Sequence, residues 1–234
     1  MIRIIKFLIG LILIPACVAA TIVFKDEVFL ILKTEVYFFA GIFSYLVLLA
    51  VFQQPIRTYV FGHELTHAVW VWFSGGRVKG FKATASGGEI RATKSNFLIC
   101  LAPYFFPLYS LMAIVIFLAL KVILPHPPGR AVLGFVLGLT WAFHITFTIY
   151  VLLQGQPDVG TTGRVFSIPF IYLTNVLVLA ALIIFYSPRL SANQFFPHLL
   201  EGTKKMYQQI WLSAPGFFES CLVHFRQLQA ALGF

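Results

Sequence analysis

The sequence predicts an all-α polytopic membrane protein with about six transmembrane helices and a short re-entrant β-hairpin after the third. Three observations carry that expectation. Of 234 residues, 59% are hydrophobic and 11% charged, with 26 phenylalanines, a balance that soluble domains do not normally reach. Apolar stretches long enough to cross a bilayer recur along the chain, separated by short charged or Pro/Gly-containing breaks. One segment, Arg77 to Ser95, departs from this pattern by being basic and glycine-containing.

The first span is read from about Ile4 to Phe24, ending at the charged break Lys25, Asp26 and Glu27 that a bilayer centre would not accept. Arg3 and Lys6 before that apolar run, and Ala16-Cys17 within it, resemble a secretion signal superficially. The run is longer than a signal core and further spans follow, which favours a retained helix. A connection through Lys33 and Glu35 leads to the second span, about Tyr37 to Phe52, which stops at Gln53-Gln54-Pro55. The third runs from about Ile56 to Phe73 and is closed by Ser74-Gly75-Gly76, residues suited to left-handed backbone.

Between Arg77 and Ser95 the residues Arg77, Lys79, Lys82, Glu89, Arg91 and Lys94 alternate loosely with small and apolar ones around Ser86-Gly87-Gly88. That pattern fits a β-hairpin packed against protein at membrane depth, and equally a plain basic surface loop. The fourth span, about Phe97 to Leu124, contains Pro103 and Pro107, which invite kinks. After the turn Pro125-His126-Pro127-Pro128-Gly129 come a fifth span, about Ala131 to Leu153, and a sixth, about Val165 to Tyr186. Residues 1–187 thus form one membrane domain with a core at about 56–187. Residues 188–234 form a less apolar tail, where Phe217, Phe218, Leu222, Phe225 and Leu228 fall near helical spacing. An amphipathic helix on the membrane or a partner would use that spacing, as would one folded back onto its own domain.

The net charge of +9 is spread over loops and tail, and no basic stretch interleaved with aromatics points to nucleic acid. Attraction to anionic lipid headgroups accounts for it more simply. Cys17, Cys100 and Cys221 are odd in number and far apart, so neither a disulfide framework nor a thiolate metal site is expected.

The third span contains His63-Glu64-Leu65-Thr66-His67. On a helix His63 and His67 stand one turn apart on one face, so both imidazoles can reach one metal ion, with Glu64 beside them as a base. Zinc suits two neutral imidazoles and an oxygen ligand, and it acidifies a bound water. Ionisable residues inside an apolar span are costly, which argues against coincidence. For the third ligand few acids remain: Asp26, Glu27, Glu35, Glu89, Glu201 and Glu219 lie in loops or tail, leaving Asp158. Gly155, Pro157 and Gly160 around it would break a helix and admit close backbone approach. The other reading of Asp158 is a cap for the following helix. His144, on the same apolar stretch, is a candidate to orient a ligand or to hydrogen-bond an oxyanion, and alternatively a packed core histidine. His126, His198 and His224 receive no role.

Together these residues resemble the site-2 protease family of intramembrane zinc metalloproteases. The resemblance covers Phe61 to about Ser167, carried by His63-Glu64-Leu65-Thr66-His67, the Gly75-Gly76 and Gly87-Gly88 pairs, and Pro157-Asp158-Val159-Gly160. It implies zinc held by His63, His67 and Asp158, Glu64 as general base, and a re-entrant β-element from Arg77 to Thr93. It also implies hydrolysis of peptide bonds in membrane-anchored protein substrates, in a multi-pass protein of the cell (inner) membrane of a bacterium. One departure is plain: many members set the aspartate in Leu-Asp-Gly preceded by an asparagine and prolines, where this chain has Gln156-Pro157-Asp158-Val159-Gly160. The alternative is a catalytically silent member acting as a membrane scaffold or chaperone. Charge does not fix orientation: with the Arg77 to Lys94 loop and Asp158 on one side, Arg3, Lys6, Lys204 and Lys205 count to the other.

Overall fold

The computed structural model describes residues 2–32, 35–52, 54–84, 86–187 and 189–232, without the side chains of 27–30, 32, 214 and 217–232. Lys33, Glu219, Cys221, His224 and the tail spacing built on Phe217, Phe218, Leu222, Phe225 and Leu228 therefore lie outside the described residues or side chains. The chain is mostly helical, with one two-stranded antiparallel sheet. In order come α1 (Ile2–Leu32), α2 (Val36–Val51), α3 (Ile56–Phe73), β1 (Val78–Thr84), β2 (Gly87–Ala92), α4 (Phe97–Phe105), α5 (Leu108–Ile123), α6 (Arg130–Leu153), α7 (Pro157–Thr162), α8 (Arg164–Tyr186) and α9 (Ala192–Leu232).

Among the described residues three helices are long and apolar enough to cross a membrane: α1 over Ile2–Asp26, α6 and α8. A fourth arises if α4 and α5, bent by 70° at their junction, are one broken span. The six expected spans are thus not reached on length and composition. α2 has only 16 residues, and α3, which carries a buried glutamate and two histidines, does not pass the same test. The bend follows from Pro107, which cannot donate to a helical carbonyl and whose ring clashes with the preceding turn. The charged break at Lys25 to Glu27 does not end α1, which continues to Leu32, because a helix need not stop where an apolar core would.

The helices pack through small residues, as expected where no hydrophobic force drives apolar surfaces together. A β-carbon on Gly41 would strike the Phe135 carbonyl, and one on Gly138 the Phe38 carbonyl, so α2 and α6 interlock at backbone distance. α1 lies parallel to α8: Gly10 abuts the Val165 carbonyl, Cys17 Sγ donates to the Pro169 carbonyl at 3.4 Å, and Thr21 and Tyr172 share a 2.6 Å hydrogen bond. Pro169 has no N–H for that Val165 carbonyl, and Gly10 lets the neighbouring helix close over it. At the opposite end of α8, Glu35 accepts from Ser187 Oγ at 2.6 Å and from Arg130 Nη2 at 3.3 Å.

The tail helix α9 folds back along α1 over its described side chains. Phe195 is fully buried, Gly202 sits beside Val23, and Tyr207 donates to the Ile12 carbonyl. The outer faces of α1 and α5 are apolar, with Ile4 and Val122 at 65% and 87% exposure, a surface suited to lipid and costly in water. One reading is corrected outright: Arg3 and Lys6 line a cavity with Gly160 to Phe166. They stand at the same end as the helix carrying Asp158, because α1 and α8 run parallel.

Candidate metal centre

The motif lies on α3, whose bounds match the sequence reading residue for residue. Gly75, with φ +67°, closes the helix, and the N–H groups of Gly75 and Gly76 bond back to the carbonyls of Trp72 and Val71. One helical turn separates His63 from His67, and their rings stand 4.9 Å apart between centroids.

Asp158 arrives from the other side of the bundle through a local break. α6 stops at Leu153, Gly155 at φ +74° reverses the chain, and Pro157 occupies the first turn of α7. Gly163, at φ +101°, ends that short helix six residues on. Asp158 caps neither helix, since the N-cap positions belong to Gln156 and Gly163 and make no side-chain caps. Its Oδ2 instead lies 3.8 Å from His63 Nε2 and 3.6 Å from His67 Nε2.

Those separations exceed a hydrogen bond. They approach the roughly 3.4 Å edge of a tetrahedral site with ~2.1 Å bonds to nitrogen and oxygen. One ligand atom from each of the three residues lies within 4.8 Å of the others, so His63, His67 and Asp158 can hold a metal ion.

The groups behind these ligands are ordered too. His67 Nδ1 is 2.8 Å from the Ile99 carbonyl, which can only accept, so the proton sits on Nδ1 and Nε2 keeps its lone pair. That carbonyl is spare because its helical donor would be the N–H of residue 103, which is proline. His63 Nδ1 pairs with the Tyr59 hydroxyl at 2.8 Å, one turn earlier on α3. The hydroxyl of Tyr104, a fully buried residue, donates to Asp158 Oδ2 at 3.3 Å, and its ring packs edge-on against His63. Burial works against ionisation of Asp158, but when the facing imidazoles carry a proton toward it their N–H groups and charge outweigh burial and hold the carboxyl well below its ordinary value. With Nε2 unprotonated, a bound cation would take that place. A deprotonated oxygen ligand therefore faces two imidazole nitrogens.

Glu64, 7% exposed, opens with His63, His67 and Asp158 onto a cavity of about 410 Å³. Strand β2 forms another wall through Gly88, Glu89, Ile90 and Ala92. Of the two readings of the hairpin, the structure shows elements of both: many of its side chains are exposed, yet Gly88 is pressed against Glu64. β1 pairs with β2 on one side only, so an edge of each strand is unpaired among the described residues.

His144 is placed elsewhere. Its Nε2 lies 3.2 Å from Asn175 Oδ1, and Asn175 Nδ2 donates to the Tyr104 and Ile171 carbonyls at 2.8 and 2.7 Å. It shares a separate pocket of about 20 Å³ with His63, behind the ring, and does not line the Glu64 cavity. Tyr59, Tyr104 and Asn175 are contributors that sequence reasoning missed. Only Tyr59 left a signal, its four-residue spacing before His63.

Compared with known proteins, the chain matches no family model, no curated protein and no solved structure.

Proposed function

We propose that the protein is an intramembrane zinc metalloprotease that hydrolyses peptide bonds of membrane-anchored protein substrates. The observation that supports this most is the placement of Glu64 in one cavity with the His63, His67 and Asp158 group. Two imidazoles and a carboxylate are the donor set that zinc favours in hydrolytic sites. When bound, zinc supplies a Lewis acid and a water acidified toward neutral pH. Glu64 takes the proton of the attacking water and passes it to the leaving amine. The unpaired edge of β2 holds an extended substrate segment by backbone hydrogen bonds, so a helical substrate unwinds locally before it reacts. In this reading α2 and α3 also lie within the bilayer, which with α1, the broken pair α4–α5, α6 and α8 makes six membrane segments.

The test is cleavage of a panel of single-span proteins by the purified protein in lipid nanodiscs. Glu64→Gln should lower cleavage by about 10²- to 10⁴-fold with metal content unchanged. Cleavage that persists in this variant removes Glu64 as the base. A folded wild-type protein that holds well below one zinc per chain and cleaves nothing supports the scaffold alternative.

A further inference from the structure

A second cavity, of about 330 Å³, opens beside α7 between the start of α1 and the start of α8. Arg3, Lys6 and Arg164 contribute its charges, and Thr162 and Gly163 part of its floor. Among the described residues none of these three cations forms an ion pair with a carboxylate. Their convergence follows from packing. Arg3, Lys6 and Gly10 lie three and four residues apart on one face of α1, and Gly10 is the residue seated on the Val165 carbonyl. That face therefore extends Arg3 and Lys6 over the first turn of α8.

The remaining groups point to a ligand of the opposite sign. α8 begins at Arg164 with Gly163 before it and no side chain capping it. The Phe166 and Ser167 N–H groups bond to the Gly163 carbonyl, so the N–H groups of Arg164 and Val165 and the positive dipole end are left for another acceptor. Thr162 is only 6% exposed and lines the cavity, and among the described residues its hydroxyl makes no hydrogen bond. That hydroxyl is not sealed in the interior but faces the cavity, so it is free to donate to a group held there. Three cations, a free hydroxyl and a helix N-terminus together match an anion with several acceptor oxygens. Ile4, Ile5 and Leu8, next along α1, are exposed apolar residues, which puts the cavity at the edge of an apolar surface.

We propose that this cavity binds a phosphate group, as carried by an anionic phospholipid headgroup or as free inorganic phosphate. The site is distinct from the metal centre and does not depend on proteolysis. It shares α7 with Asp158, since Thr162 and Gly163 follow that ligand by one helical turn.

The test uses the full chain. Phosphatidylglycerol retained over phosphatidylcholine is counted by native mass spectrometry from mixed nanodiscs, and inorganic phosphate binding is titrated in detergent. Arg164→Gln should lower binding roughly fivefold, and Arg3→Gln with Lys6→Gln by about the square of that, since each basic residue near a charged headgroup contributes a similar increment. Thr162→Val, which keeps every charge, should lower it several-fold, and helix content by circular dichroism checks that each variant is folded. Loss in the lipid arm identifies a phospholipid and loss in the titration identifies free phosphate, and either result supports the site. Lys79→Gln with Lys82→Gln removes two cations from β1 and should change neither arm. Binding that survives Arg164→Gln and Thr162→Val, or that falls equally in the β1 control, overturns the proposal.

Discussion

Gly88 on β2 lies so close to Glu64 on α3 that a β-carbon there would overlap the glutamate side chain. The hairpin thereby fixes one side of the only acid on that helix. Gly88→Ala should force either the strand or the glutamate aside, at about 1–3 kcal/mol of overpacking strain. The expected result is a lower thermal midpoint in detergent and, with Glu64 as the proposed base, at least about a tenfold loss of cleavage, since displacement of a base by ~1 Å is costly. Metal content, measured on the same sample, should not change.

Tyr104→Phe removes the hydroxyl that donates to Asp158 Oδ2 and leaves the ring against His63. Loss of a hydrogen bond to a metal-ligating carboxylate typically lowers metal affinity 10- to 100-fold, and the 3.3 Å length places this case near about tenfold. Competition with a chelator of known affinity measures it. An unchanged affinity would show that the contact only packs the core.

His63→Ala, His67→Ala and Asp158→Ala each leave two of three donors. Metal content by mass spectrometry of the dialysed protein should drop from about one per chain to near zero in each, because structural and catalytic zinc sites need three or four protein ligands. His144→Leu, outside the three-residue group, should keep the metal and lose stability through the stranded Asn175 amide oxygen.

Gly138→Leu places a large side chain where the Phe38 carbonyl already fills the space. The α2–α6 interface cannot widen without losing the reciprocal fit at Gly41, so unfolding in detergent should shift by about 3 kcal/mol or more. The same replacement at Gly129, which has open space around it, is the control.

The parts of the fold that depend on local chemistry could be read from the sequence. The limits of α3 and the glycine closure at Gly75 follow from residue type and spacing, whereas the sequence supports the hairpin only equally with a surface loop and reaches Asp158 only by elimination, with a helix cap as the alternative. The parts set by packing could not. Whether α1 runs beside α8 in the same direction depends on Gly10 meeting the Val165 carbonyl, and that contact decides which end holds Arg3 and Lys6. Tyr104 and Asn175 look like ordinary interior residues until four helices bring them together. His144 shows the converse: a histidine ten residues before Gln154, on the helix that leads to the Asp158 break, turns to an asparagine instead.

Pro103 lies outside the His63, His67 and Asp158 group, yet it settles which nitrogen of His67 is protonated. The hydrogen missing from one helix is replaced by the ring hydrogen of another, so the imidazole is locked as a single tautomer before any ion arrives. Residue 103 therefore sets the state of the site as much as the histidine does. Any residue there with its own amide hydrogen would compete for the Ile99 oxygen and leave His67 with two protonation choices instead of one.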